Sequence, residues 1–238
     1  MKSIKTLRLI VCFMLIAALS LTALVGCKPA PDAQQGNTQE PAQSAGTENT
    51  GVSDETLKIA LESNIAGLDP KTTVDRYSGN VYGCIYEPLL TYDENDNIVA
   101  NSIVESFEQV DDVTYNFKLV QGIKFHNGDE MKASDVKFSL ERGIGTSMNY
   151  LVGEIDHVEV LGDYEFNIVI KTANGAFLAG LTAVQTGILS EKAVTEAGDN
   201  YQLSPIGSGP YKFVSWEQGV CVTLERNADY HGDAPYYK

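Results

Sequence analysis

The stretch YEPLLTYDENDNIVANSIVESFEQVDDVTYNFKLVQGIKFHNGDEMKASDVKFSLER, residues 86–142, decides the fold of this chain. Between residues 113 and 119, apolar and polar side chains alternate, which is typical of a half-buried antiparallel strand. Two aspartates separate this strand from the segment 107–110, so we predict a hairpin. A short apolar strand is also predicted at 89–92, ahead of a polar turn at 93–97.

The end of this stretch predicts a turn followed by a helix. Asn127 and Gly128 form a dipeptide that tolerates positive φ angles and is typical of tight turns. His126, just before this dipeptide, is predicted to be an exposed turn residue. Ser134 is predicted to cap a helix that begins at Asp135, whose negative charge suits the positive end of a helix.

Four segments of the chain carry a resemblance to a known family. They are residues 86–90 (YEPLL), 122–128 (GIKFHNG), 133–140 (ASDVKFSL) and 205–211 (PIGSGPY). In this order they resemble the signature blocks of the extracellular solute-binding proteins of peptide-type ABC importers, the dipeptide, oligopeptide and nickel group. The resemblance runs from about residue 56 to the last residue, and the ordered set is far more specific than any one block.

The resemblance implies a mixed α/β fold of the type II periplasmic-binding-protein kind, in which two lobes enclose the ligand. Residues 56–238 then correspond to the first lobe, with a core formed by 56–89 and 173–238. A β-rich subdomain, residues 90–172, is inserted between the two parts of this core. Relatives continue into a second lobe and a returning segment that this sequence lacks, so we expect a fragment, a truncated gene or a partner chain that supplies the rest.

Composition and charge limit the possible partners. The proportions of apolar and charged residues are those of an ordinary globular protein with a substantial core. The formal net charge is −15, which makes nucleic acid and the anionic surface of a bilayer poor partners. We interpret the acidity as a feature that favours solubility.

Residues 1–27 have the pattern of a bacterial lipoprotein signal peptide. Basic residues precede an apolar run that ends in LVGC, residues 24–27, which fits the lipobox in which Cys27 receives the lipid. A plain secretory signal and an uncleaved membrane anchor are the alternatives. Residues 28–55 are mostly polar or small and include several prolines, so we predict a disordered tether.

Three further side chains are predicted to be buried. Cys84 lies on the apolar face of a predicted helix and Cys221 in an apolar strand, so two buried free thiols are the favoured interpretation. An extracytoplasmic compartment permits a disulfide between them, which is the alternative. Trp216 lies in an alternating strand and is predicted to belong to the core, with an exposed stacking platform as the alternative.

Hydrophobic periodicity predicts the remaining elements. Strands outnumber helices and pair mostly with sequence neighbours, which indicates an α+β or mixed α/β fold. Helices are predicted at 72–89, 176–181 and 190–197, strands at 56–61 and 187–189, and hairpins at 158–170 and 211–226. Ser190 is predicted to cap the last helix, and Gly198 to end it.

The resemblance indicates where a ligand would bind. In the family, an extended peptide pairs with main-chain groups, which is a form of strand addition. The loop after the first strand would then line the cleft, with Ser63, Asn64, Ile65 and Gly67 as candidate ligand-binding residues. Gly67 permits a close approach of the backbone. An ordinary connecting loop is the alternative.

A second glycine-rich segment, residues 207–211, lies near the crossover between the lobes in the family. We predict that Gly207, Gly209, Pro210 and Tyr211 form a structural turn that leads into a strand. The segment is not a phosphate-binding loop, because the Gly-Lys-Ser/Thr sequence of such loops does not follow it.

The residues that could carry catalysis or metal binding form no recognisable constellation. The three histidines lack the spacing of metal ligands, and the nucleophile elbow of hydrolases is missing from the sequence. We therefore predict neither catalytic residues nor a metal site nor a cofactor, and a hydrolase is disfavoured.

Together these features predict a protein that binds without performing chemistry. It would be the lipid-anchored substrate-binding component of an ABC importer, on the extracytoplasmic face of the cell membrane. It would capture oligopeptides, dipeptides or a related small solute and deliver them to the permease subunits by hinge closure. The alternative is a single-lobe surface interaction or scaffold lipoprotein without a transport function.

Overall fold

The computed structural model describes residues 52–238, in which eight strands and five α-helices are joined by loops and turns. The strands are β1 (Leu90–Tyr92), β2 (Ile98–Ala100), β3 (Val104–Gln109), β4 (Thr114–Leu119), β5 (Ile155–Gly162), β6 (Glu165–Ile170), β7 (Tyr211–Glu217) and β8 (Cys221–Arg226). The helices are α1 (Arg76–Tyr82), α2 (Ala133–Gly143), α3 (Asn149–Val152), α4 (Phe177–Gly180) and α5 (Glu191–Ala197). Short 3₁₀ turns lie at Val184–Thr186 and Gly198–Leu203.

A four-stranded antiparallel sheet with the order β3-β4-β6-β5 forms the centre of the fold. The hairpins β3–β4 and β5–β6 are joined by the pairing of β4 with β6. Phe117 on β4 lies opposite Phe107 on β3 and Phe166 on β6, and its ring stacks on both, with centroids 5.6 and 5.4 Å apart. The alternation of buried and less buried residues along β4 and β6 follows the period of two seen in the sequence.

Helix α2 packs against β5 and covers the buried face of the sheet. Val136 and Leu140, one turn apart, are fully buried there, which is the spacing of a core-facing helical stripe. The residue at the N-cap is Lys132, whose main-chain N–H donates to Oδ2 of Asp135 at 2.9 Å. The prediction that Ser134 caps this helix is wrong, because the helix begins one residue before it and the Asp135 carboxylate satisfies the free amide.

A smaller core lies beside the first. Tyr82 lies on helix α1 and Tyr201 in the 3₁₀ turn after α5, while Tyr86 follows α1 and Leu189 precedes α5. Ile206 packs against both cores, so the segment that precedes β7 joins them.

The predicted hairpins and one predicted helix cap are confirmed. The hairpin predicted at 107–120 is β3–β4, the one at 158–170 belongs to β5–β6, and the one at 211–226 is β7–β8. Oγ of Ser190 accepts a hydrogen bond from the N–H of Ala193 at 3.2 Å, and helix α5 starts immediately after this cap.

Three predicted elements differ from the structure. The segment 56–61 is unpaired within residues 52–238, and Ile59 is 73% exposed, because alternation makes a strand only where a partner strand is present. The helix predicted at 72–89 is shorter, because it starts only after its N-cap Asp75 and ends at Tyr82 with Gly83 as its C-cap. Residues 187–189 are buried but form no strand.

The predicted burial of three side chains fails in part. Both cysteines are free thiols, as the favoured interpretation has it. Neither is fully buried, since Cys84 is half-buried and Cys221 is exposed. Trp216 is half-buried rather than part of either core. Cys221 and Trp216 lie on β7–β8, a two-stranded sheet, and within the described residues such a sheet gives its side chains little interior.

The described residues all fall within one compact unit. The four-stranded sheet lies inside the predicted insert, 90–172, and the division of the chain into core and insert stays a prediction. Searching residues 52–238 finds no helix with the length and apolar character needed to cross a bilayer. The predicted signal peptide, its Cys27 and nearly all of the predicted tether lie outside the described residues.

Replacing Phe117 with alanine should lower the free energy of unfolding by about 3–5 kcal/mol, because the ring that stacks on both neighbours is lost and a cavity remains. Urea denaturation followed by circular dichroism measures this loss. Lys118→Ala, at the next and exposed position of β4, is the matched control and should change stability by less than about 0.5 kcal/mol. Equal losses in the two variants would contradict the assignment of the core.

Candidate functional site

The candidate ligand loop, residues 63–67, lies between the unpaired segment and helix α1. Ser63 and Asn64 are exposed, Ile65 is half-buried and Gly67 is buried. Among the described residues, no strand pairs with the loop, and the main-chain groups of 63–65 take part in no backbone ladder. These groups therefore remain free to pair with an extended chain.

The far end of this loop is fixed to helix α1. The N–H groups of Ala66 and Gly67 donate to Oγ of Ser78, at 2.9 and 3.3 Å. The N–H of Ser78 in turn donates to Oδ1 of Asp75, the N-cap of α1, at 2.9 Å. Burial would raise the pKa of Asp75, but hydrogen bonds from Ser78 and neighbouring amides outweigh it and hold the pKa below its ordinary value. Residues 66 and 67 of the loop are thus held against the capped first turn of helix α1.

Asp69, two residues after the loop, forms a bidentate ion pair with Arg142. The guanidinium of Arg142, on α2, donates to both carboxylate oxygens of Asp69, at 3.0 and 2.7 Å. Asp69 is buried, and its hydrogen bonds raise the pKa of Arg142. Bidentate pairing of this kind fixes orientation as well as charge. The pair ties the chain after the ligand loop to the helix that covers the sheet.

Lys71 is completely buried two residues further on. Its ammonium donates to the carbonyl oxygens of Gln185 and Gly187, at 3.0 and 2.8 Å. Burial lowers the pKa of Lys71 to about 7, although the nearby charge of Asp69 opposes this. The side chain therefore serves as a polar link between the loop region and the 3₁₀ turn before residue 187.

Two buried tyrosines, Tyr86 and Tyr201, make further hydrogen bonds near Lys71 and the Asp69–Arg142 pair. The hydroxyl of Tyr86 lies 3.2 Å from the carbonyl oxygen of Leu68 and 3.1 Å from the hydroxyl of Tyr201. Tyr201 donates to the carbonyl oxygen of Ile206 at 2.8 Å. Burial raises the pKa of both tyrosines, so both stay protonated and act as donors.

The predicted crossover turn packs against the main chain of residues 84 and 85. The N–H of Gly209 donates to the carbonyl oxygen of Ile85 at 2.8 Å, and the N–H of Tyr211 donates to that of Cys84 at 3.0 Å. A Cβ atom on Gly207 would lie 2.0 Å from the carbonyl oxygen of Ile85. Glycine is therefore required at position 207, because the main chain of Ile85 leaves no space for a side chain. Pro210 follows, with its carbonyl oxygen accepting from the main-chain N–H of residue 227.

Glu87 is a buried carboxylate on which three other segments converge. It accepts hydrogen bonds from the hydroxyls of Ser102 at 2.5 Å, Ser208 at 2.7 Å and Tyr230 at 2.9 Å. Nε2 of His231 lies 3.4 Å away. Burial would raise the pKa of Glu87, but the hydrogen bonds from His231 and the serines outweigh it and hold the pKa below its ordinary value. A charged Glu87 thus joins the crossover turn to the last residues of the chain.

His126 does not occupy the exposed position predicted for it. It is half-buried, and its ring lies against the crossover turn, with Nε2 2.9 Å from the carbonyl oxygen of Gly209. The prediction failed because the turn chemistry of Asn127 and Gly128 describes only the local backbone. The partner of His126 lies more than eighty residues away in sequence.

The buried charged residues were not predicted from the sequence. Glu87 could have been found, since it is a lone charge within an apolar block and such a residue needs partners when buried. Lys71 and Arg142 carry no such signal, because both lie in segments with many polar neighbours. Within residues 52–238, no group of three or more His, Cys, Asp and Glu side chains is placed to hold a metal ion.

Replacing Gly207 with alanine should destabilise the fold by about 1–3 kcal/mol or more, because the new methyl group would overlap the carbonyl oxygen of Ile85. The free energy of unfolding from urea titrations provides the measurement. Gly175→Ala is the control, since a Cβ at that exposed position meets no atom within 4 Å. If the two variants were equally stable, the close approach of the turn would be refuted.

The sequence of this chain is similar to a family of bacterial binding proteins. Residues 99–238 match the family described as bacterial extracellular solute-binding proteins, family 5 middle. A glutathione-binding protein, GsiB from Pectobacterium atrosepticum, is 32% identical over 177 residues, which are 72% of this chain and 34% of that protein. The oligopeptide-binding protein AppA from Bacillus subtilis is 29% identical over 99% of this chain and 44% of its own length. The chain thus spans less than half the length of these relatives.

Solved structures with the same fold lead to the same family. The periplasmic binding protein DppA from Helicobacter pylori, in complex with the peptide STSA, superposes with a TM-score of 0.67 and 25% identity, over 73% of this chain and 39% of that one. NikZ from Campylobacter jejuni, in complex with Ni(L-His), has a TM-score of 0.68 and 28% identity, over 77% and 38%. With its mixed α/β fold, shared with part of the type II periplasmic binding proteins, this chain belongs to the family 5 bacterial extracellular solute-binding proteins.

Proposed function

We propose that this chain belongs to the lipid-anchored substrate-binding component of an ABC importer, which captures short peptides outside the membrane and hands them to the permease. The observation that carries this proposal is the ligand loop, whose main-chain groups at 63–65 make no backbone hydrogen bond among the described residues, with Ser63 and Asn64 exposed and Ile65 half-buried. An extended peptide is a ligand that can pair with such groups along its whole length.

The supports of the loop favour binding over a merely connecting role. A binding edge must keep its direction when the ligand is absent, because ordering a mobile loop would reduce the affinity. Ser78 holds the loop at residues 66 and 67, and the Asp69–Arg142 pair holds the chain just behind it. Ser63, Asn64, Ile65 and Gly67 thus remain our candidate ligand-binding residues, with the main chain of the first three as the contact.

The names of the relatives support small, peptide-like solutes as the proposed ligand class. GsiB is named for glutathione and AppA for oligopeptides, and DppA was solved with the peptide STSA. NikZ was solved with Ni(L-His), in which a nickel ion is held by an amino acid. We therefore propose short peptides as the ligand class and include the amino-acid chelate as a competitor. No cofactor and no reaction are part of the proposal.

Calorimetric titration of the full-length protein with short peptides should give saturable heat. The panel consists of mixed di- to pentapeptides, glutathione and Ni(L-His). Asn64→Pro removes one main-chain N–H from the loop and should weaken binding by about tenfold, the value of one hydrogen bond. Asn64→Ala is the matched control, because it keeps the main-chain donor, and its affinity should stay near that of the unmodified protein.

Two outcomes of the titration would count against the proposal. Saturable heat from none of these ligands would favour the alternative of a scaffold lipoprotein. Equal affinities of Asn64→Pro and Asn64→Ala would retain the binding function but remove the main chain of the loop from the contact.

Anchoring through Cys27 is a separate part of the proposal, supported by the basic start, the apolar run and the Gly-Cys junction. Cys27→Ser should move the protein from the membrane fraction to the soluble extracytoplasmic fraction and abolish incorporation of labelled fatty acid. Cys12→Ser, inside the apolar run, is the control and should leave the anchor intact. Retention of Cys27→Ser in the membrane with label attached would contradict lipidation at this residue.

A further inference from the structure

His126 makes three hydrogen bonds to the crossover turn, and none of them involves the ligand loop 63–67. Its main-chain N–H donates to the carbonyl oxygen of Gly207 at 2.8 Å. Its ring nitrogen Nε2 lies 2.9 Å from the carbonyl oxygen of Gly209, and Nδ1 lies 3.4 Å from the main-chain nitrogen of Gly207. His126 is thus hydrogen-bonded to both Gly207 and Gly209.

The chemistry of these partners selects one form of the ring. The carbonyl oxygen of Gly209 can only accept, so Nε2 must carry a proton. The main-chain N–H of Gly207 can only donate, so Nδ1 must be unprotonated. The ring that satisfies both contacts is the neutral tautomer with its proton on Nε2. A second proton, on Nδ1, would point at the N–H of Gly207 and abolish that hydrogen bond.

The turn has little freedom to adapt to a charged ring. Gly207 lies so close to the carbonyl oxygen of Ile85 that even a methyl group has no space there. Gly209 is held by its N–H to the same carbonyl oxygen and by Nδ2 of Asn227, which donates to the Gly209 carbonyl oxygen at 3.2 Å. Protonation therefore breaks a contact that a small shift of the turn does not restore.

We propose that His126 is a pH-sensitive clasp between the turn 207–209 and the segment 122–131, whose two arms pair at Lys124 and Glu130. With a neutral ring His126 makes all three hydrogen bonds, and protonation of Nδ1 loosens the clasp by removing the one from the Gly207 N–H. The clasp concerns how two segments of the fold are held together. It does not depend on the identity of the ligand or on the proposed function of the chain.

The charged groups around His126 set the direction of its response. Burial, the largest influence, lowers the pKa of His126. The hydrogen bond to the carbonyl oxygen of Gly209 raises the pKa, because that oxygen favours a protonated ring. Lys212, on β7, lowers the pKa of His126, and Glu87 raises it. In its own hairpin, Asp129 is engaged by the side chains of Asn127 and Lys192. The net effect is a pKa below the ordinary value.

The sign of the pH dependence follows from this lowered pKa. A free histidine titrates at about pH 6.5, so the unfolded chain takes up a proton near that pH while the folded protein still resists it. The contribution of neutral His126 to stability is therefore fully present above this pH. It is lost progressively as the pH falls through the lowered pKa of the folded protein.

Histidine-selective NMR of the full chain tests the clasp directly. The ¹⁵N signals of His126 should show the tautomer protonated on Nε2, and the ring should titrate at a lower pH than a histidine in an unstructured peptide. The protection factor of the Gly207 amide, which is its exchange rate relative to the intrinsic rate at the same pH, should fall in the same pH range. Either the opposite tautomer or a titration midpoint at or above that of the peptide would overturn the proposal.

A pair of variants separates the clasp from other sources of acid sensitivity. Between pH 7.5 and pH 5.5, the urea midpoint of the unmodified protein should fall by more than that of His126→Gln, which has no ring to protonate. His157→Gln is the control, because His157 is exposed and contacts only its neighbour Asp156 among the hydrogen bonds described. It should retain the acid sensitivity of the unmodified protein. An equal fall for His126→Gln would refute the clasp, and if that variant does not fold, the NMR titration decides.

Discussion

The structure depends on one close approach, that of the turn 207–209 to the main chain of residues 84 and 85. Two glycines allow the two backbones to approach more closely than side chains would permit, and the carbonyl oxygen of Ile85 accepts the N–H of Gly209 across the contact. The same contact positions β7 and the residues that follow it. The small core adjoins this turn, because Ile206 packs against that core and its carbonyl oxygen accepts a hydrogen bond from the hydroxyl of Tyr201.

Buried polar side chains reinforce this contact over long separations in sequence. Glu87 joins Ser208 and Tyr230, and Lys71 reaches carbonyl oxygens more than a hundred residues away. Each of these groups has hydrogen-bond partners, which a buried charge requires if it is not to destabilise the fold. Removing one partner of such a buried charge would leave the other uncompensated and destabilise the fold.

Local sequence patterns predicted those parts of the fold that are held together locally. The hairpins β3–β4, β5–β6 and β7–β8 follow from alternation and turn residues, and the start of α5 follows from Ser190. The failures are of another kind. The segment 56–61 has the pattern of a strand, but the described residues offer it no partner, and the position of His126 depends on a turn distant in sequence.

The candidate site could be predicted only through the family resemblance. The loop 63–67 contains small and polar residues of a kind found in many loops, and composition alone does not distinguish a binding edge from a connection. Its supports, Ser78, Asp69 and Arg142, become visible only when distant segments are brought together. The family resemblance gave the candidate location, and the structure shows the hydrogen bonds that hold the far end of the loop.

The Asp69–Arg142 pair has a mechanical consequence. It is a rigid two-point strut between the chain behind the loop and a helix seated on the central sheet, so a pull on the loop is carried to that sheet instead of being absorbed by local bending. A displacement of the chain next to the loop is thereby transmitted to the helix that covers the central sheet.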